Sequence, residues 1–506
     1  MLIYNSLTRT KEEFKPNDGK TVKIYACGPT PYDYSHLGHA RVYIIWDVIQ
    51  RYLRLIKGYD VIYVRNITDV EDKIINRAKA EHTTPEMVAR RFTYEFWRDM
   101  ESLNIERPHS EPRASEYIGE MIEFIKGLIA NGHAYVVDGD VYFQVASLPQ
   151  YGQLTKQKLE DMMVGAREQV VAQSELEKRK KHPADFALWK GYEASADSGK
   201  YQGFGEDIRW QYGWESPWGR GRPGWHIECS AMVKSLLGET IDLHGGGEDL
   251  LFPHHENELA QSTALHNKPL ARFWVHNGFI QVNSEKMSKS LGNFNTIRAL
   301  LEQYSADEIR LFILQTHYRN PIDFTPESLQ ASKTALQRLV RAVECLRYKN
   351  PDKKDLPAQP SQELIPQTPL ACYNNFHNEF RRAAMDDDFN TAKAVACLFK
   401  LADKIMETPE IEEKQKAAKV LVDYAGVLGL TLADERQKVP ADTSKKLIDL
   451  LLQLRSEAKE KKDYKTSDMI RAALTQYGIS VMDTKEGSIW EVDLATDQSA
   501  ATPVKK

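Results

Sequence analysis

Two short polar runs, far apart in the chain, contain residue types that handle nucleotides. The first is SHLGH at 35–39 and the second is EKMSKSLGN at 285–293. Imidazole N–H groups and lysine ammonium groups stabilise negative charge on phosphate oxygens. The two runs therefore predict a site for a polyphosphate, provided that the fold brings them together.

The first run lies in a predicted strand, helix, strand unit. Residues 21–27 (TVKIYAC) are typical of a buried strand, and residues 61–64 begin the next one. Between them, apolar residues recur at helical spacing, which indicates a helix from about His36 to Lys57-Gly58. Such a unit forms a right-handed crossover in a parallel sheet. The first run therefore lies where a helix begins, at the carboxyl end of a strand.

The start of a helix favours a polyphosphate, because free backbone N–H groups and the helix dipole concentrate positive potential there. His36 and His39 share one helix face and add donors, and Gly38 leaves room for a nucleotide to approach the backbone. Taken alone, the same residues are equally compatible with two histidines on the surface. The first run by itself is too short to decide.

The second run follows a predicted hairpin with strands at 273–276 and 279–282 and a turn at Asn277-Gly278. By itself it is also compatible with a solvated basic loop. Together, and in this order around an α/β unit, the two runs resemble the HIGH and KMSKS signatures of class I aminoacyl-tRNA synthetases. Leu37 replaces the Ile of the first signature, which is a volume-conserving exchange.

A third set of residues has metal-binding chemistry. Cys27 ends the first strand, Cys229 follows in the run WHIEC at 225–229, and His254 and Glu258 are spaced i, i+4 on a helix predicted to begin near Pro253. Two thiols, an imidazole and a carboxylate are a plausible tetrahedral zinc set. Each residue alone is also compatible with a core cysteine or an exposed helix face. The spacing is not the HExxH signature of metalloproteases.

Five longer runs resemble cysteinyl-tRNA synthetases nearly without a break. They are CGPTPYDYSHLGHAR, YVRNITDVEDKI, RPGWHIECSAM, DLHGGGEDLLFPHHENELAQS and EKMSKSLGNF. The resemblance implies an enzyme that activates L-cysteine with ATP and Mg²⁺ and transfers it to tRNA(Cys), with one Zn²⁺ per chain.

The same resemblance implies roles for individual residues. His36 and His39 would hold the phosphates, and Lys289, assisted by Lys286, would stabilise the leaving pyrophosphate. The other implied sites are a metal site of Cys27, Cys229, His254 and Glu258; nucleotide-binding positions at Gly28, Pro29, Thr30, Gly38, Met287, Ser288 and Ser290; and a cysteine pocket of Thr68, Trp225 and His244. Zinc binds a thiolate far better than an alcohol, so serine would be rejected without an editing domain.

Several of these residues have simpler interpretations. Thr68 is also compatible with a turn cap, and Trp225 with a core position. The glycines at 245–247 lack the following Lys-Ser/Thr of a P-loop and are interpreted as a close approach of the backbone to substrate. The acidic run at 69–72 is interpreted as a solvated helix start rather than a metal cluster.

The predicted fold class is α/β, with a Rossmann-type parallel-sheet catalytic domain, a connective insertion, a helical bundle and a small α+β anticodon-binding domain. The segments 194–214 and 350–370 are interpreted as an extra surface loop and a linker. The insertion is expected to contain a helix around 117–131 and a hairpin-like run at 134–145. Helical periodicity after the second motif covers about 306–348, with a break at 323–326, and returns at 371–432. Two further helices, at 444–461 and 464–477, are predicted to precede a small hairpin at 479–492. The predicted divisions are 1–115 and 216–285 for the two halves of the catalytic domain, 116–215 for the insertion, 286–330 for the second motif and stem-contact region, 331–435 for the bundle, 440–495 for the C-terminal domain and 496–506 for a disordered tail.

Composition is that of an ordinary globular chain long enough for several domains: 506 residues, 42% hydrophobic and 27% charged. Five widely spaced cysteines do not indicate a disulfide framework. No apolar run reaches transmembrane length, and the N-terminus lacks a signal-peptide core. We therefore expect a cytoplasmic protein with no membrane partner, and a monomer.

The net charge of −5 argues weakly against nucleic acid, although a local basic face is sufficient to bind RNA. The basic runs at 177–182 and 455–465 are candidates, and both are also compatible with solvated charge. Two alternative functions stay open: a ligase that joins activated cysteine to an amino sugar, and a catalytically silent RNA-binding relative. The C-terminal portion argues against the first, and the intact motifs argue against the second.

Overall fold

The computed structural model describes residues 1–157, 179–191, 213–282, 285–286, 295–346, 373–433, 441–476, 479–484 and 487–492. The chain divides into two compact units, Met1–Ala433 and Asp434–Lys506. The predicted linker at 350–370, nearly all of the predicted loop at 194–214 and the predicted tail at 496–506 lie outside the described residues. The predicted domain boundaries stay predictions.

The described strands are short and are named in chain order: β1 (Leu2–Asn5), β2 (Thr10–Glu13), β3 (Thr21–Ala26), β4 (Asp60–Arg65), β5 (Ala134–Val137), β6 (Asp140–Phe143), β7 (Phe186–Gly191), β8 (Gly221–Pro223), β9 (Ile241–Gly247), β10 (Ala271–Asn277), β11 (Ile280–Val282), β12 (Glu285–Lys286), β13 (Ile322–Phe324), β14 (Ile479–Thr484) and β15 (Gly487–Val492).

The described α-helices are α1 (Leu37–Leu55), α2 (Asp72–Ala80), α3 (Pro85–Ser102), α4 (Ile118–Ala130), α5 (Trp225–Leu237), α6 (Glu256–His266), α7 (Ile297–Leu301), α8 (Ala306–Leu314), α9 (Pro326–Val343), α10 (Asn374–Asn378), α11 (Thr391–Glu407), α12 (Ile411–Val427), α13 (Ala441–Glu460) and α14 (Tyr464–Gln476).

The predicted strand, helix, strand unit around the first motif is confirmed. Strand β3 lies between β4 and β9 in a parallel four-stranded sheet of order β10-β9-β3-β4, and α1 crosses from β3 to β4. Helix α1 is buried on nearly all sides, and its large apolar side chains, such as Ile44, Trp46 and Val48, lie in the main core. This packing fixes the start of α1 at the carboxyl end of β3, where the chemistry was expected.

The predicted helix and hairpin of the insertion are also confirmed. Helix α4 is followed by β5 and β6, which pair antiparallel and continue through β7 to β8. The turn between β5 and β6 is Asp138-Gly139, with φ of 49° and 88°, the conformation that a two-residue hairpin requires. The Asp-Gly pair supplies this conformation because both residue types tolerate positive φ.

The hairpin predicted at 273–282 is wrong. Strand β10 runs parallel to β9, whereas β11 belongs to another sheet, antiparallel to β12 and parallel to β13. Neither Asn277 nor Gly278 has the positive φ of a tight hairpin turn. The Gly278 N–H instead donates to the carbonyl of Tyr318 at 2.9 Å. The chain therefore passes from one sheet to the next at this turn.

Helices dominate after the second motif, as predicted. Helices α8 and α9 are separated by the predicted break near 323–326, which contains the short strand β13. The described residues between 373 and 433 are largely helical, and α11 and α12 pack on α9 through buried apolar side chains.

The second compact unit contains α13, α14 and an antiparallel pair of β14 and β15, which confirms two helices and a terminal hairpin. Its small core consists of Ile448, Leu452, Leu474 and Val481. Across the described part of the chain, none of the helices is both long enough and apolar enough to cross a membrane.

Candidate functional site

The first motif forms the capped start of α1. His36 is the N-cap residue, and its Nδ1 accepts the N–H of Gly38 at 3.0 Å. The Nδ1 of His39 accepts the N–H of His36 at 3.2 Å, which completes a reciprocal cap. Because each Nδ1 is an acceptor, each neutral ring carries its proton on Nε2. Two neighbouring imidazole N–H donors, with ring centroids 3.9 Å apart, therefore occupy this position.

This cap corrects one expectation. Free backbone N–H groups were expected at the helix start, but the N–H of Gly38 donates to His36 and that of Leu37 donates to the carbonyl of Asn295 at 3.1 Å. The positive potential of the helix dipole remains. The hydrogen-bond donors at this end are therefore the imidazoles rather than these two amides.

Residues 295–297, which follow the second motif, contact the first motif. The N–H of Ile297 donates to the carbonyl of Ser35 at 3.0 Å, and Thr296 lies opposite His36 in an antiparallel bridge. On the other side of the motif, the backbone of Lys286 pairs with Gln281 in the β11–β12 ladder. The remaining predicted residues of this motif lie outside the described part of the chain: Met287, Ser288, Lys289 and Ser290.

A cleft of about 590 Å³ opens beside these elements. Most of the predicted nucleotide-binding and motif residues that the structure describes line it: Gly28, Pro29, Thr30, His36, Gly38 and His39. Gly28 is required by packing as well, because a Cβ there would lie 1.5 Å from the carbonyl oxygen of Asn66. Cys27 and Trp225 line the same cleft, so the nucleotide-binding motif and the thiol set share one cavity.

Cys27, Cys229, His254 and Glu258 form a buried cluster whose four ligand atoms lie within 4.8 Å of one another. Cys27 directly follows β3, and Cys229 lies in the second turn of α5. Glu258 lies in the first turn of α6, and His254 lies in the irregular turn that precedes it. Three separate elements thus converge on one point, as the predicted metal site requires.

The geometry and chemistry of the four residues fit a zinc ion. The two sulfur atoms are 4.0 Å apart, close to the separation of about 3.8 Å that tetrahedral Zn–S bonds give. The Nε2 of His254 is 3.4 Å from Oε1 of Glu258, and that buried oxygen has no hydrogen-bond partner among the residues that the structure describes. The cluster therefore presents donor atoms toward a common centre and leaves one of them unsatisfied.

Burial makes the two free thiols of the cluster weak acids. It raises the pKa of the Cys27 thiol well above its usual value and that of Cys229 to about 11. A bound metal ion reverses this preference, because coordinated thiols lose their protons. The cluster is therefore better suited to hold a metal than to act as free thiols.

Cys27 and Glu258 also form a second possible set, with His244 and His255. The ring nitrogens of His244 lie 2.9 Å from the carbonyl oxygen of Tyr25 and 2.7 Å from Oε2 of Glu258. Those of His255 lie 2.7 Å from another imidazole nitrogen and 3.2 Å from the Cys27 sulfur. Because both rings already use both nitrogens, the set containing His254 is the better metal site.

The three predicted pocket residues lie in different positions. Trp225 is 38% exposed, lines the cleft and stacks on His254 with ring centroids 4.2 Å apart. Thr68 is buried, and its hydroxyl accepts a hydrogen bond from Asn66 at 3.0 Å. His244 is buried behind Glu258, where it orients that carboxylate. Neither Thr68 nor His244 is among the residues that line the cleft.

Two residues near the cluster were missed in the sequence. The Nδ1 of His226 lies 3.0 Å from Nδ1 of His254, so it supports the imidazole that faces Glu258. Glu228 is fully buried next to Cys229, and burial together with nearby Asp69 raises the pKa of its carboxyl well above the usual range. Helical spacing was the signal that could have revealed both, because Glu228 lies three residues after Trp225 and His226 lies three residues before Cys229.

Two minor interpretations need correction. Asp69 is not solvated, because it is 6% exposed and accepts hydrogen bonds from the backbone and hydroxyl of Ser115 at 2.9 and 2.6 Å. Glu71 caps α2 as expected. The first glycine of the 245–247 run serves the packing of the sheet, because a Cβ on Gly245 would lie 1.8 Å from the carbonyl oxygen of Val275. Gly247 does line the cleft.

Some cations of the two basic candidate segments, 177–182 and 455–465, make contacts within the protein or are buried. Arg179 pairs with Asp140 at 3.3 Å, and the Lys181 ammonium lies 4.3 Å from the ring centroid of Tyr135. Arg455 is only 2% exposed, within the second compact unit. These three cations are therefore less available to an RNA than the sequence indicates, whereas Lys461, Lys462 and Lys465 are exposed.

Comparison with known proteins assigns the chain to a family. The family model described as tRNA synthetases class I (C) catalytic domain matches residues 13–334, more than half of the chain. The chain belongs to this family. A second model, described as DALR domain, matches residues 380–433.

Full-length relatives agree with this assignment. The Cysteine--tRNA ligase of Heliobacterium modesticaldum is 44% identical over 503 residues, which cover 97% of this chain and 99% of the relative. That of Geobacter sulfurreducens is 44% identical over 504 residues, with the same coverage. The resemblance to cysteinyl-tRNA synthetases is therefore confirmed along nearly the whole chain.

Solved structures confirm the α/β fold class. A methionyl-tRNA synthetase of Mycobacterium tuberculosis in complex with methionyl-adenylate superposes with a TM-score of 0.52 at 16% identity, covering 86% of this chain and 94% of that chain. A LeuRS of Agrobacterium radiobacter K84, in a ternary complex with tRNA and LeuAMS, gives a TM-score of 0.56 at 12% identity, covering 82% and 85%. At such identities, the likeness concerns the fold alone.

Proposed function

We propose that the chain is a cysteine--tRNA ligase, which activates L-cysteine with ATP and transfers the cysteinyl group to tRNA(Cys). The observation that carries the proposal is the shared cavity: Cys27 of the thiol set and His36 and His39 of the first motif line one cleft. Family membership and the names of the full-length relatives support the same substrates.

The first step joins cysteine to AMP. The cysteine carboxylate attacks the α-phosphate of ATP, a P–O bond forms, and the bond to the leaving pyrophosphate breaks. The Nε2–H groups of His36 and His39 would donate to phosphate oxygens as charge grows on them. Lys289, with Lys286, would stabilise the pyrophosphate, and Mg²⁺ would accompany the ATP. In the second step, a ribose hydroxyl of tRNA attacks the carbonyl carbon and AMP leaves.

The metal proposal concerns substrate selection. Cys27, Cys229, His254 and Glu258 would hold one zinc ion. When bound, zinc supplies a soft Lewis acid that accepts the substrate thiolate and lowers the pKa of the thiol. Trp225 would cover the cysteine from the cleft, while His244 would hold Glu258 in place. Thr68 would shape the floor through its bond with Asn66.

The other nucleotide contacts stay proposals of the same kind. Gly28, Pro29, Thr30 and Gly38 would approach ATP along the cleft wall, with Met287, Ser288 and Ser290 on the second motif. We also propose that the protein acts as a cytoplasmic monomer. The two basic runs are weaker candidates for RNA contact than their charge indicated.

An amino-sugar ligase that shares the activation step is the second candidate. It is less favoured because relatives named Cysteine--tRNA ligase align over 97% of this chain, a span that includes the C-terminal unit. A catalytically silent relative is disfavoured by the convergence of the four metal-binding side chains, which a chain without this chemistry would have no reason to keep.

The decisive experiment measures cysteine-dependent exchange of pyrophosphate into ATP, followed by transfer of cysteine to tRNA(Cys), with serine as the control amino acid. We expect exchange and transfer with cysteine, and neither with serine. Exchange without transfer would favour the amino-sugar ligase. Absence of exchange from zinc-loaded protein would refute both enzymatic functions.

A further inference from the structure

Arg41 lies inside α1, shortly after the two motif histidines, and connects two walls of the nucleotide cleft. Its side chain is 1% exposed. Nη1 donates to the carbonyl of Phe279 at 2.6 Å, and Nη2 donates to the carbonyl of Tyr318 at 3.0 Å and to that of Asn320. One wall of the cleft is α1, and another is formed by residues 277–280. The guanidinium therefore fixes the spacing between these walls.

The positive charge of Arg41 is not neutralised within the described residues. Its three acceptors are uncharged carbonyl groups, and its Nε–H is buried without a hydrogen-bond partner. Glu248 acts on it through space without forming an ion pair. Arg51, on the same helix, has the opposite arrangement, because Asp47 pairs with it at 3.0 Å. Burial lowers the pKa of Arg41 to about 10, so the side chain remains a cation at neutral pH.

The turn that Arg41 holds has little freedom of its own. The N–H of Gly278 donates to Tyr318, and the N–H of Ile322 donates to Phe279 at 3.0 Å. A Cβ on Gly278 would lie 2.7 Å from the carbonyl oxygen of Arg319, so the two backbone segments touch. Arg41 thus joins the start of α1 to a rigid pair of segments rather than to a loose loop.

We propose that Arg41 is a positioning residue for the nucleotide: it holds the two cleft walls at the spacing that ATP requires, and its unpaired charge attracts the polyphosphate. A buried charge without a counter-ion favours an anion in the adjoining cavity, because little solvent screens it. When the cleft walls are already fixed, less conformational entropy is lost on ATP binding. The proposal rests on the proposed ATP-dependent activity and adds a residue to it.

The test compares Arg41→Gln and Arg41→Lys with Arg51→Lys, a matched change of a buried arginine on the same helix. Equilibrium dialysis with ATP and Mg²⁺ gives the affinity directly, and pyrophosphate exchange gives KM for ATP and for cysteine. We expect Arg41→Gln to weaken ATP binding about tenfold or more and to leave KM for cysteine within about twofold. Arg41→Lys keeps the charge and should recover part of the affinity. Arg51→Lys should lower the melting temperature without changing ATP affinity.

Two results would overturn the proposal: unchanged ATP affinity in both Arg41 variants, or an equal loss in Arg51→Lys. If Arg41→Gln does not fold, unchanged affinity in Arg41→Lys at matched melting temperature decides against it. Failure of the proposed function is a different result, because wild-type protein would then show no cysteine-dependent exchange, while dialysis would still report the effect of Arg41 on ATP binding.

Discussion

The Asp47 network and the thiol cluster are two of the buried polar groups in the described part of the first compact unit, and they differ in how their charge is balanced. In one, Asp47 accepts hydrogen bonds from Arg51 at 3.0 Å and from Arg310 at 2.6 Å, and Glu106 neutralises the remaining charge on Arg51 at 3.2 Å. In the other, two thiols, an imidazole and a carboxylate meet, and one carboxylate oxygen has no donor within the described part of the chain. The first cluster is complete within the protein, whereas the second holds the donor atoms of the proposed metal site.

The difference separates a structural cluster from a functional one. A buried ion network connects α1, α8 and the turn after α12, and the carbonyl of Leu428 accepts two hydrogen bonds from Arg310. Such a network holds elements together because each member satisfies another. A cluster that leaves its own atoms unsatisfied is stable only when something else completes it. The comparison thus predicts which substitutions act on folding and which act on metal content.

The largest effect is expected on metal content. Purified Cys229→Ala should lose stoichiometric zinc, because removing one of four ligands forfeits much of a binding free energy that is about 10 kcal/mol for structural zinc sites. Metal analysis of the purified protein checks this. Cys345→Ala is the matched control, a buried cysteine outside the cluster that should keep its zinc. Stoichiometric zinc in Cys229→Ala would show that the ligand assignment is incorrect.

Asp47→Asn should have the largest effect on folding, and none on zinc. It leaves two buried guanidinium groups without their shared anion, so we expect a loss of about 3–5 kcal/mol in the free energy of unfolding, measured with urea. A loss below 1 kcal/mol would contradict the view that this network is a structural one.

The same residue predicts a pH dependence. Burial raises the pKa of Asp47, but Arg51 and Arg310 outweigh it, and the pKa is lowered overall. A lowered pKa means that the stabilisation is present above the unfolded value of about 3.9 and is lost as the pH falls through the folded value. The difference in stability between wild type and Asp47→Asn should therefore shrink below about pH 4.

Gly429→Ala should disturb the same network, because it adds a side-chain atom next to Arg310. Gly429 has φ of +70°, and an added Cβ would lie 1.9 Å from Nη2 of Arg310. We expect a loss of about 2 kcal/mol, smaller than for Asp47, because Arg310 can shift while keeping part of its contacts. Thermal unfolding checks this, with Gly19→Ala as the control, since it has similar φ but no atom within 4 Å of the added Cβ. Equal losses in the two variants would indicate backbone strain alone.

Arg338→Gln should have the smallest effect. Arg338 pairs with Asp403 on the surface, and the two side chains are 48% and 40% exposed. Water screens such a pair, so the free energy of unfolding should fall by less than about 1 kcal/mol. A loss as large as that of Asp47→Asn would remove the distinction between buried and exposed ion pairs in this chain.

Local patterns predicted much of the fold. The strand at 21–27, the helix after His36, the hairpin near Asp138-Gly139 and the two C-terminal helices all follow from periodicity and turn chemistry, which are properties of neighbouring residues. The hairpin at 273–282 failed because an Asn-Gly pair is only a turn signal, and the partner of β11 is set by β13, which comes later in the chain. Asp69 was misjudged because burial by Ser115 depends on a residue distant in sequence.

The sequence by itself determined the motifs, the family and the four residue types of the proposed metal site, because these depend on which side chains are present and on their spacing. Tertiary structure alone decided that His226 supports His254, that His244 supports Glu258 from behind, and that Arg41 is buried without a carboxylate partner among the described residues. These facts arise from contacts between distant segments, where burial and unsatisfied hydrogen bonds become visible only after the chain has folded.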